Sequence, residues 1–284
     1  MKFRNTFDSA VAGVIEALLL VALAAIVLST IQLVYIPEIM EQREAEHMDE
    51  VDNQFSYLKS VVDLQSALTE DVPISSPITL GSKELPYFVT ARAFGQLDII
   101  DSSASYIEPL GASYTNKPLT SIQLEVWNCY YIGQRYVLEG GAVIVKQSDG
   151  ESVKIEPSII IENISGDTYI TWQLPEFCSI AGKNSTSGYK NCFIRTNYTS
   201  NSETGSESID TLRIFSEFLD AWNATFNTLL EEAIENGEVT VEKFLSGTPP
   251  YVRIQNTGSN DLFLDINHVI IGAQIGPGIV VQKS

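Results

Sequence analysis

The stretch ALLLVALAAIVLSTIQLVYI, residues 17–36, decides how the chain is organised. It carries no charge, and Ser29, Thr30 and Gln32 are its notable polar interruptions. At about 1.5 Å per residue it extends roughly 30 Å, the thickness of a bilayer's hydrocarbon core. The core helices of soluble domains are usually shorter, so a membrane-spanning helix is expected here. Lys2 and Arg4 precede the run, whereas the segment just after it (Glu38, Glu41, Arg43, Glu44, Glu46) leans acidic. The positive-inside bias therefore expects Met1 in the cytoplasm and nearly everything beyond Pro37 outside. The run is longer than a secretory signal's apolar region and no A-x-A cleavage site follows it, so it is expected to be retained.

Downstream of the run, helical spacing continues. Pro37 removes one backbone donor and crowds the preceding turn, so a kink or brief break is expected there. Beyond it Ile39, Met40, Met48, Val51, Phe55, Leu58, Val62 and Leu68 form an apolar stripe among charged residues, until Pro73 stops the pattern. A kinked helix from Val11 to Glu70 would be roughly 90 Å long, its outer half offering that stripe to the globular part or to a neighbouring chain.

From Ile74 onward the texture is that of strands: PITL, YFVTARAF, SIQLEVWNCYYI, YVLEGGAVIVKQ, SVKIEP and TYITWQL, separated by Gly, Pro, Asn and Asp. Gly140-Gly141 and Asp149-Gly150 read as hairpin turns, and Ser158-Ile-Ile-Ile reads as a strand covered on both faces. A late helix is expected to open at Ser208-Ile-Asp-Thr, to carry Leu212, Phe215, Leu219, Trp222, Phe226, Leu229, Leu230 and Ile234 on one face, and to end at Asn236-Gly237. YVRIQN, DLFLDINHVIIGAQI and GIVVQ return to strands. The fold class is therefore α+β, with residues 1–13 a leader-like cytoplasmic segment, 14–72 a transmembrane helix continuing into a stalk, and 73–284 a β-rich antiparallel head.

Seventeen basic against thirty-six acidic residues give a formal charge of −19, which argues against nucleic acid or an anionic lipid surface as a partner. Asn-x-Ser/Thr sequons stand at Asn163, Asn184, Asn197 and Asn223, two of them in the stretch from Ser179 to Ser208, where an exposed loop is expected. The three cysteines are Cys129, Cys178 and Cys192. Export favours a bridge between Cys178 and Cys192 with Cys129 free, closing a small loop and stabilising the head by ~3 kcal/mol. Two unpaired thiols are the alternative.

No pattern of catalytic chemistry emerges. His47 and His268 are the two histidines, and HExxH, CxxC, a phosphate-binding glycine loop and a GxSxG elbow are absent from the sequence. Asn260, Asp261 and Asp265 do not follow the spacing of an EF-hand and read as a solvated turn. Neither a cofactor, a metal nor an enzymatic activity is expected. Glu16 stands apart. A carboxylate at the start of a membrane helix costs several kcal/mol unless it snorkels to the interface or finds a partner, and both readings stand.

Asp8-Ser-Ala-Val-Ala-Gly-Val-Ile-Glu-Ala-Leu-Leu-Leu-Val-Ala-Leu resembles the N-terminus of archaeal type IV pilins and pilin-like surface proteins, over about the first forty residues. The stalk, β-rich head and late Trp-containing helix are similar in texture to a large-headed branch of these. The resemblance implies that a membrane peptidase removes the leader within Ala10, Val11, Ala12 and Gly13, leaving the apolar helix as the new N-terminus. It implies that subunits pack these helices, through Leu18, Leu19, Ala22, Ala25 and Ile26, into a filament with heads outward, alone or with other pilin-like subunits. It also implies that Glu16 pairs with the α-amino group of the adjoining subunit. Cutting after Ala10 makes Glu16 the sixth mature residue, after Val11 the fifth and after Gly13 the third; the fifth is usual in bacterial pilins. The partners implied are further copies, the leader peptidase and assembly machinery, and the lipid bilayer. A single-pass envelope protein that forms no filament, with the β head as a binding module, is the competing expectation.

Overall fold

The computed structural model describes residues 4–84, 92–101, 104–111, 113, 115–180, 183–258 and 260–276, with side chains from Ala12 onward. The chain opens with helix α1 (Arg4–Thr30), a π turn (Ile31–Tyr35) and helix α2 (Ile36–Leu68), which together make one apolar-then-polar rod. The π turn lies just before Pro37. Proline has no N–H and its ring crowds the carbonyl four residues back, so the hydrogen-bond ladder is re-spaced over one turn and the helix goes on. Thr69, left-handed at φ 52°, caps the end of α2 and donates its N–H to the Gln65 carbonyl.

The head follows as β1 (Ile74–Thr79), β2 (Phe94–Ile100), β3 (Tyr106–Leu110), β4 (Lys117–Pro118), β5 (Ser121–Trp127), β6 (Gln134–Glu139), β7 (Ala142–Gln147), β8 (Gly150–Ile155), β9 (Ile159–Ile164), β10 (Asp167–Ser179), β11 (Ser185–Gly188), β12 (Asn191–Glu203), β13 (Glu207–Ile209) and β14 (Thr211–Phe215). Helices α3 (Leu219–Leu229) and α4 (Glu231–Glu235) precede β15 (Val239–Phe244), β16 (Tyr251–Asn256) and β17 (Leu262–Ile275). These strands form three sheets, in the orders β1-β12-β17-β10-β9 with β13 beside β17, β11-β2-β5-β6-β7-β8, and β15-β16-β14-β3-β4. The pairings are antiparallel except for β10 with β17, which run parallel over their length. The architecture is α+β, a long N-terminal helix followed by a β-rich domain, as in pilins.

Two apolar cores lie along the head. In one, Met48, Val51, Phe55, Leu58 and Val62 of α2 pack among Leu97, Leu124, Leu138, Val143, Phe177, Ile194, Val269 and Ile271. In the other, Trp222 and Phe226 of α3 pack with Trp172, Val137, Ile144, Ile214, Ile254 and Leu264. Side chains alternate across a strand, and β6, β7, β10 and β17 use that alternation to serve both cores. Even-numbered Trp172 and Leu264 face the second, while odd-numbered Phe177 and Val269 face the first. Hence the largely apolar β6–β7 hairpin, YVLEGGAVIV over 136–145, is buried on both faces with Glu139 as its one charged residue. Its turn, Gly140-Gly141, has φ of 57° and 85°, the two left-handed positions a tight hairpin needs. A Cβ at Gly140 would meet the Trp222 ring at 3.0 Å.

Several sequence expectations are corrected. The late helix begins at Leu219, not Ser208: Leu212 and Phe215 lie on β14, whose β-branched residues pair with both β3 and β16. A coincidence of spacing let them continue the stripe of α3. The Ser179–Ser208 stretch is not a loop, because β11 and the long β12 run through it. Residues 159–161 are an edge strand with Ile160 exposed, not a strand covered on both faces. On the stalk, Ile39 and Leu68 are exposed and do not belong to the buried stripe. GIVVQ and most of YFVTARAF lie outside the described residues.

Candidate assembly surface

The α1 sequence is rich in residues that lose little freedom in a helix, and it bonds its own backbone internally, so it needs no partner to be helical. Every residue from Ala12 to Thr30 is exposed. Leu18, Leu19 and Ile26 are 65%, 66% and 64% accessible, on a helix whose apolar groups face outward all round. Such a surface, far larger than the apolar patches of soluble monomers, requires lipid or other protein to cover it. Ala12–Leu68 is one continuous helix of 57 residues, long and apolar enough at its N-terminal end to cross a bilayer.

At about 100° per residue, Leu18, Leu19, Ala22, Ala25 and Ile26 fall within an arc of ~120° on α1. By that spacing they share one face of the helix. Ala22, Ala25 and Ser29 form its shallow line, where a second helix can approach closely. Glu16 lies roughly 60° beyond the edge of that arc. Ala12 and Gly13 of the expected cleavage region are helical and exposed; the side chains of Ala10 and Val11 lie outside the described residues.

The rod is anchored in the head by polar contacts that the apolar pattern does not show. Glu44, fully buried, takes the stripe position between Met40 and Met48. Its Oε1 accepts the Cys129 N–H at 3.0 Å, and its Oε2 accepts those of Tyr130 and Tyr131 at 2.6 and 2.8 Å. Three backbone donors replace the water that burial removes, which is how a carboxylate becomes tolerable there. Farther along α2, the Thr79 hydroxyl and Gln54 both donate to Glu50, and Gln65 donates to the carbonyls of Val72 and Thr196. The gap in the apolar series between Met40 and Met48 was the available signal for Glu44.

The other expected sites resolve separately. The three thiols are free, so the Cys178–Cys192 bridge is corrected: β17 separates the strands that carry them. Two strand spacings are about 10 Å, beyond the ~7 Å a disulfide tolerates between Cα atoms. Burial pushes the Cys178 and Cys192 thiols up to about 11, which keeps them protonated and unreactive at neutral pH. His268 sits 2.6 Å from Glu176 Oε2, and Cys178 Sγ donates to Glu176 Oε1. The carboxylate stands between thiol and imidazole, the wrong order for a base-activated nucleophile. Hydrogen bonding from His268 holds Glu176 below its usual range.

Asn260 is a structural residue whose amide donates to the Gly166 carbonyl, while Asp261 donates its N–H to Asp167. Among the described residues no group of three or more His, Cys, Asp or Glu converges as a metal site. Of the sequons, Asn163 and Asn184 are exposed. Asn197 is half-buried on β12 with its amide donated to Asp71, and Asn223 is half-buried on α3. The chain matches no family model, no curated protein and no solved structure.

Proposed function

We propose that the chain is a structural, pilin-like subunit of a cell-surface filament of the archaeal type IV kind, assembled through α1 rather than acting as an enzyme. One observation carries the reading. A helix exposed on every side continues without interruption into a helix built into the core of the head. Such a rod transmits whatever force or packing its apolar end experiences directly to the globular part. Before assembly the bilayer covers α1, with Met1 inside and the head outside; after removal of the leader, the helices of neighbouring subunits cover it instead. Close approach along Ala22, Ala25 and Ser29 and interdigitation of Leu18, Leu19 and Ile26 hold the filament core.

The test is N-terminal mass spectrometry of the native protein together with electron microscopy of sheared surface material. Filaments containing this chain, with a mature N-terminus within Ala10–Gly13, are expected. Recovery of the chain solely from membranes, with Met1 intact, would instead identify a single-pass anchor carrying a binding head.

A further inference from the structure

The end of the head nearest α1 carries an exposed aromatic loop. Residues 128–133 join β5 to β6, and Trp127 at the end of β5 and Tyr130 and Ile132 of the loop are 44%, 36% and 46% accessible. Phe94 packs on Trp127 with ring centres 5.7 Å apart and meets Tyr189 edge-on at 5.3 Å, and Arg92 lies over Tyr189 at 3.9 Å. The result is a continuous strip of rings that ends in a guanidinium.

Two observations fix where the strip lies. First, contacts between α2 and the head follow the helix in order: Glu44 holds the loop at 129–131, whereas Asp63 accepts from Ser158 and Gln65 donates to Thr196. The loop is therefore at the end of the head that faces α1. Second, Ile36 and Met40 are 6% and 0% accessible, so the head reaches down to the first residue of α2. Glu44 is about 12 Å beyond Ile36 along the helix, and the headgroup layer occupies about 5–7 Å beyond the hydrocarbon. The remaining gap of about 5 Å is within the length of a Trp or Tyr side chain.

Trp and Tyr favour that layer because the ring is apolar while the N–H or O–H remains solvated. Beside the strip, Arg43, Lys83 and Arg92 share a cavity of about 550 Å³ with Glu46 and Glu50, and Arg92 pairs with Glu84 at 2.6 Å. We propose that Trp127, Tyr130 and Ile132, tied to the helix by Glu44, seat the base of the head in the headgroup layer of the bilayer. This rests on the reading that α1 crosses that bilayer. Seating would set the height and tilt of the head before a subunit enters a filament.

Trp172 and Trp222 are 0% accessible, which leaves Trp127 as the indole a lipid can reach among the three tryptophans. The full chain is reconstituted in phosphatidylcholine vesicles containing lipids spin-labelled at the headgroup or at mid-chain, and tryptophan fluorescence is recorded. Headgroup labels should quench more strongly than mid-chain labels, and the quenching should disappear in Trp127→Phe. Alkaline extraction in parallel separates the two levels of the argument. A chain that resists extraction but shows no lipid quenching overturns the seating and leaves the anchor intact. Quenching unchanged in Trp127→Phe does the same, as does protection of Trp127 that grows with protein density, which assigns the strip to a second copy. Release of the chain by alkali overturns the anchor itself.

Discussion

At Glu139 folding buries a carboxyl almost completely, at 2% accessibility, on the face of β6 that Val137 turns to the core of Trp222. Its Oε1 accepts the Trp222 indole N–H at 2.9 Å and the Ser216 hydroxyl at 2.6 Å. Loss of solvent pushes its pKa up to about 7 against the pull of those two bonds, and Glu217 and Glu151 add to the rise. An acid whose folded pKa lies above its unfolded value binds its proton more tightly when folded. Its contribution is therefore fully present below about pH 4.5 and is lost as the pH rises through about 7, to a total of roughly 3 kcal/mol. Glu139→Gln keeps an acceptor for both donors and cannot ionise. Denaturant unfolding of the detergent-solubilised chain should show the wild type losing roughly 3 kcal/mol relative to the variant between about pH 5 and pH 8. Burial also lowers the pKa of His47, which both chains share, so the difference between the two chains is the readout. Parallel stability profiles would mean that Glu139 ionises as easily folded as unfolded. Glu44 makes the companion point: a sequence shows a charge on an apolar stripe, but only the fold supplies the three donors that explain it.

Among the elements, β17 shows how much local pattern can and cannot tell. Its alternation was legible, as were the Gly140-Gly141 turn and the apolar helix, because each depends on neighbours in sequence. Its partners were not. The parallel pairing with β10 and the antiparallel pairing with β12 bring together segments dozens of residues apart, and that arrangement removes the expected disulfide. The edge position of β9 was hidden for the same reason, since Ser158-Ile-Ile-Ile reads alike whether one face is covered or two. Helix α3 was found but placed too early, because Leu212 and Phe215 fit a helical spacing while their backbone is used by β3 and β16. The cysteine placement is open to a direct check. Denaturation without reductant, followed by alkylation and peptide mapping, should modify Cys129, Cys178 and Cys192 alike. A peptide linking Cys178 to Cys192 would require β12 to pair differently from the register described.

On the scale of the whole molecule, the division of labour follows from which surfaces are covered. Beyond Ile36 the rod buries one face in the head and is stabilised by it; in the other half every side chain from Ala12 to Thr30 is exposed. The sequence reveals that second half plainly and points to its cover only through its likeness to pilins. We propose that other copies provide that cover and that Glu16 helps them do so. Replacing Glu16 by Gln preserves size and removes the charge, so insertion should survive or improve. If the carboxylate pairs with a neighbour's α-amino group, its loss leaves that buried cation uncompensated at ~3–5 kcal/mol per subunit. Immunoblots of sheared and membrane fractions from wild-type and Glu16→Gln cells measure the outcome directly. The account predicts that the variant's sheared fraction disappears or falls sharply while membrane-bound monomer accumulates. An unchanged distribution between the two fractions would contradict it.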